Sequence, residues 1–341
     1  MEAHKPIGGY FELELGQHYN NIPNTVEALH CARTCLRLII RYFKIKQIYA
    51  PTYTCHAIDE VLRQEGCKIL HYHIREDFMP DRDFPENAYV LYTDYFGICS
   101  NNARTLAKKH IHLIVDSTMN FNMPVKVFAS FNSLRKFFGV PDGAFLSSES
   151  LLYDTFRLDR AHSYDRCSHL LKRLDVGPEF GFDDAVKNDR NVEIEEFFSD
   201  AYKSDALLKL FRMSKLTTSI YDCIDIKAVQ KIRYKNFKIL DDNLGGWNRL
   251  KPIKIDKYDM PVAYPFFLPE KNLKQWLIDN KIYVPSYWGD CKENSKLESD
   301  YENYIVALPI DQRYNEDDML RIVHVITQYI FNLERYKHEK L

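Results

Sequence analysis

Ser130-Phe131-Asn132-Ser133-Leu134-Arg135-Lys136-Phe137-Phe138-Gly139-Val140-Pro141-Asp142-Gly143 decides how the rest of this chain is read. It sets one lysine beside an arginine and two serines, and it closes on the Val140-Pro141-Asp142-Gly143 turn. Proline presets φ and glycine supplies left-handed backbone, so a loop of fixed shape should carry Lys136. Upstream, the apolar run 111–115 stops at Asp116. A carboxylate ending a buried strand, then a lone lysine in a constrained loop, matches what pyridoxal 5'-phosphate (PLP) needs. That cofactor takes an amine to hold it and an acid facing its pyridine nitrogen.

Outward from this stretch, apolar alternation predicts strands at 46–50, 68–73, 89–93, 111–115, 125–129 and 144–147. Helical spacing predicts a helix from near Cys31 to 43, a second over 57–64 with Thr54 as its N-cap and Gly66 past its end, and a third over 103–109. Strands separated by helices imply a mainly parallel sheet flanked by helices, an α/β fold. Ligands of such sheets bind beyond the carboxyl ends of the strands, where Asp116 and Ser130 are expected. Residues 148 to about 245 read as helical and charged, with a long linking helix over 225–241 broken by Gly245-Gly246. Beyond it, 261–268, 273–280, 282–285, 304–308 and 316–333 read strand, helix, strand, strand, helix, a smaller C-terminal α/β domain. The expected division is an N-terminal arm over 1–24, a large domain over 25–225, and the linking helix with the small domain over 226–341.

The loop Cys31-Ala32-Arg33-Thr34 opens a helix, where free amides and the helix dipole favour a phosphate, and Ser130 and Ser133 could add hydroxyls. A helix simply entering the core is the plainer reading of the same loop. Tyr53 or His56 could stack on a cofactor ring, although a core or surface histidine is the commoner role. Arg157, Arg160, Arg166 and Arg173 could meet a diphosphate, or lie on a solvated helical face.

The composition excludes several other functions. A net charge of −2 without a long basic run argues against nucleic acid as a partner. No run approaches the roughly 18 apolar residues of a membrane span. Residues 1–14 lack a signal-peptide core, and the eight cysteines include no CxxC pair, so a reducing cytoplasm is expected. Cys31 and Cys35 read as packing residues, and no metal site is expected at His71 and His73 or at His110 and His112. With 12 glycines in 341 residues, below the usual share of roughly 7%, a phosphate cradle of several glycines is not expected.

Several stretches together resemble the DegT/StrS-type, fold-type-I PLP-dependent sugar aminotransferases, in a branch associated with surface-polysaccharide biosynthesis. They are Ile7-Gly8-Gly9-Tyr10-Phe11, Pro51-Thr52-Tyr53-Thr54-Cys55, Asp94-Tyr95-Phe96-Gly97, the run from Ser133 to Gly143, and Leu308-Pro309-Ile310-Asp311-Gln312-Arg313-Tyr314. The resemblance implies Lys136 as the covalent lysine and Asp116 as the partner of the pyridine nitrogen. It places Ala32, Arg33 and Ser130 or Ser133 at the phosphate, with Tyr53, Cys55 and His56 near the ring. It further implies a homodimer, a nucleotide-linked keto sugar as acceptor and an amino-acid donor, glutamate in the usual case. The chain departs from the family pattern in three places. Ala32 stands for a glycine, Met119 stands for a glutamine with Asn120 next to it as a replacement donor, and the serine–lysine spacing is one residue longer, which favours Ser133 over Ser130. A PLP-dependent sugar dehydratase, or a degenerate homologue that only binds a nucleotide sugar or a partner, are the alternatives.

Overall fold

The structure, a computed structural model, describes residues 13, 15–110, 112–124, 126–148, 155–176, 209–251, 255–256, 258–288 and 294–338. The expected apolar stretch of the N-terminal arm, Ile7 to Phe11, lies outside them, as does Cys291. So do 149–154, all of 177–208 and the first residues of the predicted strands at 111 and 125.

Seven strands form the main sheet: β1 (Glu27–Leu29), β2 (Gln47–Pro51), β3 (Lys68–Tyr72), β4 (Val90–Thr93), β5 (Leu113–Asp116), β6 (Ala129–Phe131) and β7 (Ala144–Ser147). Their spatial order is β1-β7-β6-β5-β4-β2-β3. β3, β2, β4, β5 and β6 run parallel, whereas β7 is antiparallel to β6 and β1 is antiparallel to β7. Helices α1 (Ala32–Phe43), α2 (His56–Gln64) and α3 (Ser100–Ala107) connect and cover the sheet.

Successive side chains of a strand point to opposite faces, and the two cores separate on that rule. Leu91 of β4 and Ile114 of β5 face the core shared with Leu36, Ile39 and Leu62 of α1 and α2. Val90, Tyr92, Leu113 and Val115 face the other core, with Tyr53, Phe78 and Tyr95. Both faces are covered, which is why these strands read as unbroken apolar runs.

After α4 (Ser168–Val176) and α5 (Lys215–Asp222), the long α6 (Ile226–Leu244) leads into a second sheet of β8 (Ala263–Phe267) and β9 (Ile305–Pro309), paired antiparallel. α7 (Leu273–Asp279), α8 (Lys296–Tyr304) and α9 (Glu316–His338) complete it. Tyr264, Phe266, Val306 and Leu308 pack on Phe237 and Leu240 of α6 and on Ile326 of α9. The opposite face sends Ala263, Ile305 and Ala307 into the core beneath the main sheet. The two sheets thus share apolar packing, and a cleft opens between them.

The structure corrects several boundaries. β1 was not expected. β6 begins at Ala129 rather than 125, because Lys126 takes a positive φ of 60° that bends the chain before it. Thr54 is not the cap of α2: Cys55 holds that position, and the Thr54 hydroxyl bonds that of Thr93 at 3.0 Å. Residues 282–285 form no strand. α8 was not expected, although Ser295 and Glu298 form a capping box at its start. Among the described residues, no helix is long and apolar enough to cross a membrane.

Candidate active site

Asp116 ends β5, paired with Thr93 on one side and Phe131 on the other, at the carboxyl ends of the parallel strands. It is 3% exposed, and its Oδ1 accepts a bond from the Thr118 amide at 2.9 Å. Burial raises its pKa above the usual carboxylate value, against the lowering effects of the Lys136 charge and of the Thr118 hydrogen bonds.

Lys136 ends a single 3-10 turn, Leu134–Lys136, beyond the carboxyl end of β6. That turn is held at both ends. The Leu134 amide donates to the Gly143 carbonyl at 3.0 Å, and Asn132 exchanges bonds with Phe145, its Oδ1 accepting the Phe145 amide at 2.8 Å. Gly143 has a φ of +111°, and a Cβ there would meet Leu134 Cδ1 at 2.8 Å, so the expected turn glycine is required. The buried carboxylate of Asp142 ties the loop to the Ser214 hydroxyl at 3.2 Å and to the Ser163 hydroxyl. Lys136 Nζ lies 3.2 Å from Thr118 Oγ1 and 3.2 Å from Met119 Sδ. The Lys136 side chain as a whole is exposed, yet loss of water around its amine lowers its pKa, Asp116 and Cys55 oppose that, and Arg135 adds to it.

The N-terminus of α1 forms a second cationic pole. Cys31 is its N-cap residue, with Sγ 3.5 Å from Thr34 Oγ1, and the preceding His30 carbonyl accepts the Gly143 amide at 2.7 Å. Arg166 Nη1 meets His30 Nε2 at 2.8 Å. Burial opposes ionisation of Cys31, yet the His30 bond and charge, the Arg33 charge and the Thr34 hydroxyl together bring its thiol down to about 5. Arg135 is lowered to about 10 by burial, with Cys31 opposing and the charges of Arg166 and Arg33 adding to the effect. Cys35, one turn along α1, feels both Cys31 and Asp116, so this pole flanks the carboxylate.

Lys136 also lines a cavity of about 630 Å³ between the two sheets. Six cationic side chains, Lys136, Arg173, Arg233, Lys281, Arg313 and Arg321, face two carboxylates, Asp311 and Asp318. Tyr283, Tyr287 and Tyr314 supply aromatic wall. Asp311 is forked by its neighbour Arg313 at 2.7 and 2.9 Å.

The expected site residues thus fall into separate groups. Asp116 and Cys55 both lie within electrostatic reach of Lys136. Ala32 and Arg33 stand at the start of α1, and Ser133 precedes the lysine turn. Ser130 sits inside β6, paired with Val115 and Ser147 and fully buried, because the strand starts later than expected. Asn120 is buried too. Its amide donates to Asp94 Oδ2 and Asp259 Oδ1, each at 3.1 Å, and its oxygen accepts the Met260 amide at 3.1 Å, so it ties two segments together in the interior. Tyr53 is buried, stacked on Tyr95 at 5.7 Å and edge-on to Trp288 at 5.0 Å. His56 is exposed at the start of α2. Of the four arginines noted in the helical segment, Arg166 joins the α1 pole and Arg173 the cavity, while Arg160 bonds the Met213 carbonyl at 3.1 Å. Thr118, Arg135 and Arg233 were not expected at the site. Arg135 sits beside the lysine, but Arg233 gave no local signal. No group of metal-binding side chains occurs among the described residues.

No protein-family model matches the chain, and no curated protein matches its sequence. Solved structures do match. A DegT DnrJ EryC1 StrS aminotransferase from Brucella abortus aligns with a TM-score of 0.60 at 13% identity, over 89% of this chain and 85% of that one. Spr1654 from Streptococcus pneumoniae, in its PMP form, aligns with a TM-score of 0.61 at 13% identity, over 93% and 89%. PseC from Helicobacter pylori, an aminotransferase involved in the biosynthesis of pseudoaminic acid, aligns with a TM-score of 0.57 at 14% identity, over 88% and 85%. At these identities the likeness establishes architecture: the chain has the fold of the DegT/StrS-type, fold-type-I aminotransferases.

Proposed function

We propose that this protein is a PLP-dependent aminotransferase that passes an amino group, from glutamate, to a nucleotide-linked keto sugar of surface-polysaccharide biosynthesis. The observation that carries the reading is the Lys136 amine at the wall of a cavity rich in cations, beside the buried carboxylate of Asp116. The residues present fit the cofactor. Asp116 would face the pyridine nitrogen, Lys136 would hold the aldehyde carbon, and the cationic start of α1 with Ala32, Arg33 and Ser133 would take the phosphate. Cys55, within electrostatic reach of Lys136, would lie nearer the ring than Tyr53, whose face is taken by Tyr95.

Bound PLP supplies an electron sink for the pair left when an amino-acid Cα loses its proton. The chain's own residues do the rest. Asp116 would keep a proton on the pyridine nitrogen. With the cofactor bound, the Lys136 amine would move a proton between the donor Cα and the cofactor carbon, and its lowered pKa suits it to act as a base. Thr118 and Met119 hold the amine in place between these steps. An excess of cations around a cavity of this volume suits an elongated anion such as a nucleoside diphosphate sugar. The expected assembly is a cytoplasmic homodimer.

The test is to load the protein with PLP, add glutamate and measure 2-oxoglutarate, then supply UDP-, GDP- and dTDP-linked keto sugars. One equivalent of 2-oxoglutarate from glutamate alone, turning catalytic with a nucleotide-linked sugar, is expected. Equal turnover with free keto sugars would remove the nucleotide from the reading, and no 2-oxoglutarate would remove the glutamate half-reaction.

A further inference from the structure

Arg233, on α6, is a buried cation whose hydrogen bonds all run to neutral acceptors. It is 2% exposed, and its Nη1 donates to the carbonyls of Pro261 at 3.2 Å and Val262 at 3.3 Å. Nη2 donates to the Phe137 carbonyl at 3.3 Å and Nε to Gln312 Oε1 at 3.1 Å. The guanidinium also lies 5.1 Å from the centroid of the Phe137 ring. With its oxygen claimed by Arg233, the Gln312 amide turns its Nε2 onto the same Phe137 carbonyl at 2.8 Å. Two side chains from α6 and from the loop after β9 therefore converge on one acceptor, the carbonyl of the residue that follows Lys136.

Burying a guanidinium without a hydrogen-bonded carboxylate is costly, and apolar packing would fill the same space more cheaply. What the apolar alternative lacks is directional control over a peptide group. That control falls one residue past the lysine, since the clamped carbonyl belongs to the Phe137–Phe138 peptide and fixes the backbone of the residue that follows Lys136. We propose that Arg233 and Gln312 are positioning residues for Lys136, clamping the Phe137 carbonyl so that the amine stays against Thr118 and Met119, within electrostatic reach of Asp116. The proposal rests on Lys136 being the reactive amine. The groups that set the amine's charge are Asp116 on β5, Cys55 before α2 and Arg135 beside it; Arg233 acts through the backbone.

The test is the pH profile of Lys136 acylation by trace acetic anhydride in the full-length protein, read by mass spectrometry on the Lys136 peptide alongside the melting temperature. Gln312→Met removes both of the glutamine's bonds at similar volume, and Gln312→Glu keeps a partner for Arg233 but loses the donor to Phe137. Both should move the Lys136 midpoint upward, toward the ordinary value of a lysine. Both should also slow borohydride-trapped PLP incorporation at Lys136 by roughly tenfold or more, given the sensitivity of reacting groups to misplacement. Arg233→Lys, which can reach only part of the acceptor set, should fall between wild type and Arg233→Met. If Arg233→Met fails to fold, the glutamine variants carry the result. A lowered melting temperature with an unchanged Lys136 midpoint in Gln312→Met and Gln312→Glu would overturn the proposal, leaving the pair a purely structural role. The acylation profile needs no cofactor. A midpoint that moves in a protein that never takes up PLP would uphold the clamp and sink the cofactor reading instead.

Discussion

Two carboxylates close neighbouring parallel strands, and their surroundings make them different groups. Asp94 follows β4 and Asp116 ends β5, and the Asp94 amide donates to the Asp116 carbonyl at 2.9 Å. Both are buried. Asp94 accepts the Cys99 amide at 2.7 Å and the Asn120 amide at 3.1 Å. Burial pushes it up to about 7, Cys99 and Asn120 oppose that, and the charges of Asp259 and Asp116 add to it. Asp116 has the amine of Lys136 acting on it from the cavity wall. A strand end supplies a place for chemistry, and the partner decides whether the carboxylate holds the fold or faces a ligand.

The largest expected effect separates the two by substitution. Asp116→Asn should leave the protein folded and able to take up PLP but slow glutamate turnover by roughly 100-fold or more, as expected when a preorganised charge is lost. Asp94→Asn should change turnover far less. Equal losses in the two variants would erase the distinction.

A second prediction concerns the backbone that carries the Asp94 side. Gly97 has a φ of +80°, and a Cβ there would lie 2.2 Å from the Met119 carbonyl oxygen and 2.8 Å from Pro261 Cα. Gly97→Ala should cost about 2–4 kcal/mol in urea denaturation, because neither backbone contact has room to give. A cost below about 1 kcal/mol would mean that this junction is looser than described.

The smallest effect is a slope. The folded pKa of Asp94, about 7, lies above its ordinary value, so between about pH 4 and 7 the native state holds more protons than the unfolded state. Its contribution is therefore most favourable at low pH and is lost as pH rises through that window, by at most about 1.4 kcal/mol per pH unit for one proton. Asp94→Asn should lose that component of the pH dependence. A variant with the wild-type slope would assign it to other groups.

Much of this was legible in the sequence, for physical reasons. Runs such as Leu113 to Asp116 announce strands buried on both faces, Gly66 marks the end of α2, and the Pro141 to Gly143 turn fixes the lysine loop. Lys136 and Asp116 could be paired because each sits beside a strong local signal. The bond of the Asn120 amide to Asp259 was not legible, because its partner is 139 residues away. Arg233 and Gln312 meet Phe137 across 96 and 175 residues, a distance over which no local pattern speaks. α8 is different: the Ser295–Glu298 capping box was there to be read.

The most direct measurement is to incubate the protein with PLP, reduce with borohydride and locate the modified lysine by peptide mass. A single adduct at Lys136 is predicted, absent in a folded Lys136→Ala variant. An adduct at another lysine, or one that persists undiminished in Lys136→Ala, would contradict the assignment on which the site is built.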